Sequence, residues 1–266
     1  MTKFPREFAD LLSPKGKAIL ARGYADSKRI FHGRVTPLAL LRGVLDEKKS
    51  TACRRLLDKA MYDYVRRVEA PIPRESITGM KKNYGELLPK TMRFKTAYFS
   101  SRSSLSYRAA VEIGLLEMMK SGSFAAFAEA VTGLVLEKQP GVQVILYEEG
   151  DYAGPHNDHH PESENAQRGF VDIHVSLTNA SVFGQQLVYE ERGHFSKTYS
   201  VSENGTVAVY RLPFWHYTTP LQAKRLREQD ARRWLLLGTF DINREILNGS
   251  SRALRQRKTR GDSSQS

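Results

Sequence analysis

The hydrophobic period of this chain changes at Pro140-Gly141. Before that point apolar residues recur at helical spacing, and from there to about Phe240 they follow the shorter period of strands. Turn residues divide this second half into short segments. Strands are predicted near residues 142–148, 156–158, 169–178, 186–190, 198–201, 206–211, 215–217 and 232–240. This pattern predicts a closed or double-sheeted β structure with helices packed outside it.

Helical patterns precede the β half. One helix is predicted from Thr36-Pro37 through Val44, and a second from about Thr51 through Val68, before Pro71 and Pro73. Two more are predicted at about 104–120 and 123–137. The expected organisation is a basic, largely helical N-terminal extension over 1–95, a β domain with supporting helices over 96–248, and a flexible basic tail over 249–266.

The charge of the chain is uneven. Residues 1–95 hold 22 Lys and Arg against 10 Asp and Glu, a net of +12, whereas residues 96–250 hold 14 against 18, a net of −4. Residues 251–266 hold 5 against 1, a net of +4. The excess positive charge therefore lies outside the β half. We interpret it as a solvated basic helix face, and a docking surface for an acidic protein or nucleic acid is the alternative.

The cysteine content and the hydropathy of the sequence indicate the cellular compartment to expect. The single cysteine, Cys53, excludes an internal disulfide and fits a reducing environment. No stretch approaches the length of an uninterrupted apolar membrane span, and the first residues, MTKFPREFADLL, lack the apolar core of a secretory leader. We therefore expect a cytoplasmic protein with no membrane association. The sequence does not indicate an oligomeric state.

A short run, His156-Asn157-Asp158, follows an apolar strand and a glycine-containing turn. In an extended chain residues i and i+2 point the same way, so one imidazole and one carboxylate can converge on one point. The triplet alone is a weak signal, because about 0.3 such triplets are expected by chance in a chain of this composition. A third ligand is predicted at His216, and the neighbouring His159 and His160 are expected to be non-ligands.

Strand periodicity also predicts a polar cavity wall. Asp172, His174 and Ser176 share one face of a predicted strand, and Val171, Ile173, Val175 and Leu177 share the other. A polar face turned inward makes sense if it lines a cavity while helices cover the apolar face. A solvent-exposed polar face is the alternative.

Basic residues follow His216. Arg232 and Arg233 are adjacent on the last predicted strand, so only one of them can point inward. A buried guanidinium there has a clear purpose if a dicarboxylate must be bound at its remote end. The polar loop 221–230, with Lys224, Arg225 and Arg227, offers alternative cations.

The whole pattern resembles the Fe(II)- and 2-oxoglutarate-dependent oxygenases and is most similar to their prolyl-4-hydroxylase-like branch. The resemblance runs from about Phe124 to Asp241. The matching motifs are Tyr147-x-x-Gly150, His156-x-Asp158, Gly184 to Leu187, Asn204 to Val207, His216 and Arg233-Trp234. The resemblance implies an α+β protein built on a double-stranded β-helix of the jelly-roll, cupin-like kind, with packed helices and a helical N-terminal extension.

The resemblance also implies a ligand set. Fe(II) would be held by His156, Asp158 and His216, and 2-oxoglutarate would chelate the metal while its far carboxylate meets a basic residue of the last strand. Arg233 is favoured over Arg232, because the family's arginine directly precedes an aromatic residue. Tyr147, His174 and Ser176 are implied as further cofactor-binding residues. A packed core tyrosine is the alternative for Tyr147.

The implied activity is a hydroxylase that couples 2-oxoglutarate decarboxylation to C–H oxidation of an amino acid, a peptide or protein, or a small metabolite. O2 is the implied oxidant and ascorbate a reductant. A nucleic-acid dealkylase of the same superfamily is less favoured, because Gly238 and Thr239 stand where those enzymes have a second arginine. A non-catalytic β-sandwich module that binds nucleic acid or an acidic partner through the basic N-terminal region is the alternative from another class.

Overall fold

The computed structural model describes residues 2–33, 37–72, 90–158 and 169–243. The helices are α1 (Pro14–Arg22), α2 (Ser27–Phe31), α3 (Glu47–Ala60), α4 (Leu105–Glu112), α5 (Leu115–Met119) and α6 (Gly122–Thr132). The strands are β1 (Leu38–Leu41), β2 (Arg66–Pro71), β3 (Thr91–Tyr98), β4 (Gly141–Tyr147), β5 (Tyr152–His156), β6 (Phe170–Thr178), β7 (Val182–Gly184), β8 (Gln186–Glu191), β9 (His194–Ser200), β10 (Thr206–Leu212), β11 (His216–Thr218), β12 (Gln222–Ala223) and β13 (Arg233–Asp241).

Most of the strands form one antiparallel sheet. Its hydrogen-bonded order is β1-β10-β6-β13-β4-β3-β5-β11-β8-β9, with β2 attached to β3 and a separate pair of β7 and β12. The sheet rolls up, so that a wall containing β6, β13 and β4 faces a wall containing β5, β11 and β8 across one cavity. This architecture confirms the predicted double-stranded β-helix, a jelly roll with helices packed on it.

The apolar face of β6 is covered as predicted. Val171, Ile173, Val175 and Leu177 are fully buried in the main core, which they share with residues of α6. The approach of the helix to the sheet is close, because a Cβ at Gly238 of β13 would collide with the ring of Phe124. Helix α6 therefore packs directly on the back of the cavity wall, and the polar face of β6 is left to line the cavity.

The described part of the N-terminal extension is less helical than predicted. The expected helix from 36 to 44 is wrong, because Leu38–Leu41 forms β1 and pairs with β10. The expected helix from 51 to 68 begins earlier, ends at Ala60, and is followed by β2. A short apolar run fits both a helix and a strand. Here the two segments form strands because β1 pairs with the edge of β10 and β2 pairs with the edge of β3. Strand β3 also runs across residue 95, where the domain boundary was predicted.

Basic residues of the extension contact the acidic turn between β4 and β5. Nζ of Lys95 lies 2.8 Å from Oε2 of Glu148. Nη1 of Arg67 lies 2.7 Å from Oδ1 of Asp151, and Nε of Arg93 lies 3.3 Å from the same oxygen. Part of the charge asymmetry in the sequence is therefore neutralised inside the fold, where it attaches β2 and β3 to the turn that leads into β5.

Several sequence predictions fall outside the described residues. These are the non-ligand roles of His159 and His160 and the tail over 249–266. Among the helices that are described, none combines the length and the apolar character needed to cross a bilayer.

Candidate metal centre and its cavity

Strand pairing brings the two predicted histidines together. His156 ends β5 and His216 begins β11, and the two residues are direct partners in the antiparallel ladder. Their ring centroids are 4.3 Å apart. Residues sixty positions apart in the sequence are therefore neighbours, because side chains opposite each other in a ladder project to the same face.

Asp158 completes the group by a different route from the one predicted. Strand β5 ends at His156, so the expected extended conformation through residue 158 is wrong. Asp158 instead has a φ of 51°, in the left-handed region that aspartate tolerates better than most residues. The carboxylate lies between the imidazoles, with Oδ1 3.4 Å from Nε2 of His156 and Oδ2 3.4 Å from Nε2 of His216.

Both imidazoles are oriented by backbone carbonyls. Nδ1 of His156 donates to the carbonyl oxygen of Gly154 at 2.6 Å, and Nδ1 of His216 donates to that of Phe214 at 3.0 Å. A ring that donates from Nδ1 carries its free lone pair on Nε2, the nitrogen that faces Asp158. Burial, with the second imidazole nearby, lowers the pKa of His216 to about 3, so its ring is in the neutral form that metal ions bind.

These three side chains can hold a metal ion. One ligand atom from each lies within 4.8 Å of the other two. Two imidazole nitrogens and one carboxylate are a donor set suited to Fe(II) with other coordination positions left open. The predicted convergence of His156, Asp158 and His216 is therefore present in the fold.

Of the two adjacent arginines, Arg233 is the one that lines the cavity. Arg233 is only 3% exposed and lines the cavity, and Arg232 lies on the other side of the sheet with its guanidinium over the ring of Tyr62. Lys224, Arg225 and Arg227 are exposed and do not line the cavity. Alternation along β13 thus separates the two adjacent arginines as expected.

Neutral acceptors fix the Arg233 guanidinium. Nε donates to Ser176 Oγ at 3.2 Å and to the Val201 carbonyl at 3.0 Å, Nη1 donates to Gln185 Oε1 at 2.8 Å, and Nη2 donates to Ser176 Oγ at 2.9 Å. Within the described chain no carboxylate forms an ion pair with Arg233. Burial lowers the pKa of this guanidinium from its usual value, yet an arginine keeps its charge in a protein. A fixed cation therefore faces the cavity without a counter-ion among the described residues.

The remaining predicted residues share this cavity wall. Tyr147 is buried with its ring 5.4 Å from the Arg233 guanidinium carbon. Ser176 contacts the arginine directly, as described above. His174 lines the same cavity but lies against the ring of Tyr210, at 4.4 Å between centroids, and has no contact with Arg233. The structure therefore brings Tyr147 and Ser176 to Arg233 and leaves His174 further along the wall.

Sequence reasoning missed Gln185. Its side-chain oxygen accepts from Arg233 while its Nε2 donates to the carbonyls of Asp151 and Thr219. The residue is 1% exposed, so these contacts fix its position. A glutamine after a glycine in a turn carries no strong chemical signal, and only the fold reveals its contact with the arginine.

The cavity has a volume of about 320 Å³, within the range of small-molecule sites. Its walls carry the histidines, Asp158 and Arg233 at polar points, and apolar side chains between them. Space for a ligand therefore lies between a candidate metal site and a buried cation.

Comparison with known proteins points to the same fold. No protein-family model matches the chain, and no curated protein sequence matches it. A crystal structure described as an oxidoreductase of the 2OG-Fe(II) oxygenase family, from Burkholderia pseudomallei, superposes with a TM-score of 0.52 at 12% identity, covering 85% of this chain and 90% of that one. The chain has the fold of a 2-oxoglutarate and Fe(II) oxygenase.

Two further solved structures are similar to this oxygenase fold. A Pseudomonas putida prolyl-4-hydroxylase aligns over 85% of this chain and 99% of its own, at 12% identity and a TM-score of 0.49. A prolyl hydroxylase from Trichoplax adhaerens, solved with a peptide fragment of hypoxia inducible factor, aligns over 85% and 91% at 11% identity and a TM-score of 0.48.

Proposed function

We propose that this chain is an Fe(II)- and 2-oxoglutarate-dependent oxygenase that hydroxylates an amino acid, a peptide or protein, or a small metabolite. The observation that supports this most is the buried Arg233 cation, which has no carboxylate partner in the described chain and shares its cavity with His156, Asp158 and His216. A metal site alone would suit several reactions. A metal site and a fixed cation in one enclosed space suit a chelating dicarboxylate.

His156, Asp158 and His216 would hold the Fe(II). Their donor set fits the ion, because the two Nε2 lone pairs and the carboxylate point into one small volume. When bound, Fe(II) with 2-oxoglutarate and O2 supplies the oxidising chemistry, and the protein supplies orientation and exclusion of water. The carbonyls of Gly154 and Phe214 keep both rings in the tautomer that binds a metal.

Arg233 would bind the far carboxylate of 2-oxoglutarate. A guanidinium has five N–H groups, and the contacts to Ser176, Val201 and Gln185 use one on each nitrogen. Nη1 and Nη2 each keep one N–H, which is the pair that a carboxylate accepts in a bidentate contact. Tyr147 packs beside this guanidinium and helps to exclude water from the contact.

The test is an anaerobic titration of the purified protein with Fe(II) and then 2-oxoglutarate, followed by visible absorption. We expect a weak charge-transfer band of the chelate in the wild type and its loss in Asp158→Ala, with an unchanged circular dichroism spectrum. Asp63→Ala is the matched control, because Asp63 is exposed and lies away from the cavity. Absence of the band in folded, metal-loaded wild type would contradict the proposal.

The same samples separate the enzyme from a binding module. An oxygenase forms succinate from 2-oxoglutarate only when His156 and Asp158 are intact. A module that binds nucleic acid through its basic N-terminal region has no iron dependence, and its affinity falls steeply as salt is raised. Succinate formation that persists in Asp158→Ala would count against the assigned site.

A further inference from the structure

Asp172 is a buried carboxylate, and one of its oxygens has no hydrogen-bond partner among the residues that the structure describes. It lies on β6, is 5% exposed and lines the cavity. Its Oδ1 is buried and accepts no hydrogen bond within the described part of the chain. A buried polar atom without a partner is costly, and one on a cavity wall is a candidate contact for a ligand.

No lysine or arginine of the described chain forms an ion pair with Asp172. Two titratable side chains lie beside it: His174, whose Nε2 lies 3.8 Å from Oδ2, beyond hydrogen-bond distance, and Tyr210, its partner in the ladder with β10. That Nε2 is itself buried without a partner among the described residues. Oδ1 of Asp172 and Nε2 of His174 therefore lie on the same cavity wall, and neither has a hydrogen-bond partner among the described residues.

Arg233 is too far away to be the counter-ion of Asp172. In the ladder between β6 and β13, Arg233 is opposite Thr178, whereas Asp172 is opposite Thr239. Six residues of strand, about 20 Å, separate the two backbone positions, and Ser176, which the guanidinium contacts, is still four residues, about 13 Å, from Asp172. The cation and the carboxylate therefore occupy opposite ends of the cavity wall and must serve different ligands or different parts of one.

The stretch between these ends carries both polar and apolar side chains. His174 on β6 and Gln143 on β4 flank Leu237 of β13. The apolar surface beside them is formed by Ile145 on β4, Leu187 on β8, and Leu235 and Leu237 on β13. A molecule that reaches Asp172 therefore contacts this apolar surface and ends at a carboxylate. The matching chemistry is an aliphatic chain with a protonated amine or a guanidinium at its end.

We propose that Asp172, with His174 beside it, binds the cationic end of the substrate, and that this substrate is an alkylguanidinium or alkylammonium compound of the arginine or lysine type. The inference rests on the proposed function, since it assigns the substrate class of that same site. A cation at this position completes the contacts of Oδ1 and leaves Arg233 for the anionic co-substrate.

The test measures binding to the protein loaded with Fe(II) and 2-oxoglutarate in the absence of O2. The calorimetric probes are arginine against its neutral isostere citrulline, and lysine against norleucine. Acetyl-Gly-Arg-Gly-amide against its citrulline counterpart distinguishes a peptide source from a free amino acid. We expect at least one cation to bind at least tenfold more tightly than its neutral isostere.

Asp172→Asn should abolish this preference and weaken binding of the cation at least tenfold. Asp63→Asn, the same change at an exposed site, should leave both unchanged. The thermal unfolding temperature of Asp172→Asn should be equal to or above that of the wild type, because the carboxylate has no hydrogen-bonded partner at Oδ1 to lose. A marked fall in that temperature would assign Asp172 a structural role and overturn the proposal.

Other outcomes overturn the inference too. These are equal affinity for cations and neutral isosteres, a preference retained in Asp172→Asn, or no binding of any cation to the loaded wild type. The 2-oxoglutarate absorption band, recorded on the same samples, reports the proposed function separately. If the band is absent while Asp172-dependent cation binding persists, the cation site stands and the oxygenase assignment fails.

Discussion

Asp151 and Asp172 are both buried aspartates, and their surroundings differ. Asp151, in the turn between β4 and β5, accepts hydrogen bonds from Arg67 and from the backbone N–H of Glu148. Asp172, on the cavity wall, has a buried Oδ1 without a partner in the described chain. The difference distinguishes a carboxylate that holds two elements together from one whose partner is expected from outside the chain.

Arg233 belongs with Asp172 in this comparison. Its N–H groups donate hydrogen bonds to neutral acceptors, but no carboxylate of the described chain forms an ion pair with it. Asp151 in the β4–β5 turn is therefore paired with arginine within the fold, whereas Arg233 and Asp172 on the cavity wall have no oppositely charged Lys, Arg, Asp or Glu partner in the described chain. Substitutions should separate the two regions, because the first should affect stability and the second ligand affinity.

The largest effect is expected at Arg233. Arg233→Gln should weaken 2-oxoglutarate binding about 100-fold, because a buried charge-assisted contact worth roughly 3 kcal/mol is lost. Arg232→Gln is the matched control and should bind 2-oxoglutarate like the wild type, since Arg232 lies on the opposite side of the sheet. Anaerobic titration of the absorption band measures both. Equal losses in the two variants would remove the distinction between the arginines.

A smaller effect is expected at Asp151, and it should appear in stability. Asp151→Ala should lower the free energy of unfolding by about 2 kcal/mol, because it leaves the Glu148 N–H and the facing guanidinium groups without their acceptor. Burial raises the pKa of this carboxyl despite the arginines nearby. The stability that Asp151 contributes therefore comes more from its hydrogen bonds than from its charge. Urea denaturation at neutral pH measures the change.

Asp172→Ala is the comparison for that experiment. Its free energy of unfolding should stay within about 0.5 kcal/mol of the wild type, because no hydrogen bond in the described chain is removed. A loss as large as that of Asp151→Ala would erase the difference between the two aspartates.

Apart from the near-zero change in stability expected for Asp172→Ala, the smallest effect is expected at Ser176. Ser176→Ala removes the hydroxyl that accepts from Nε and Nη2 of Arg233, so the guanidinium is held less firmly. We expect 2-oxoglutarate affinity to fall about fivefold, equivalent to one hydrogen bond of about 1 kcal/mol. Ser106→Ala, in helix α4, is the control. An affinity loss as large as that of Arg233→Gln would indicate that Ser176 contacts the ligand itself.

The strands of the β half could be predicted well because their burial is periodic. The predicted strands at 169–178, 206–211 and 232–240 correspond to β6, β10 and β13 within about one residue. Most residues on their outer faces are apolar, and turn residues mark their ends. Strands β1, β2 and β3 were missed. Strands β1 and β2 are four and six residues long, too short for their period to be distinguished from that of a helix.

The candidate site was predictable in its residue types and less so in its geometry. His156, Asp158, His216 and Arg233 were found from spacing and resemblance, and the fold brings the first three together. The left-handed conformation of Asp158 was not found, since local strand periodicity predicts an extended chain there. The contact of Gln185 with Arg233 was not found either, because it depends on how β8 meets β13 across the rolled sheet.

The pairing of β5 with β11 has a consequence for handling the protein. His216 pairs with His156 and Thr218 with Ala153, with a shift of register between them, so few residues join these two strands. An ion bound by both His156 and His216 would cross-link β5 and β11 at this short pairing. Chelators should therefore speed amide exchange in β11, and the melting temperature should climb with the concentration of free divalent metal.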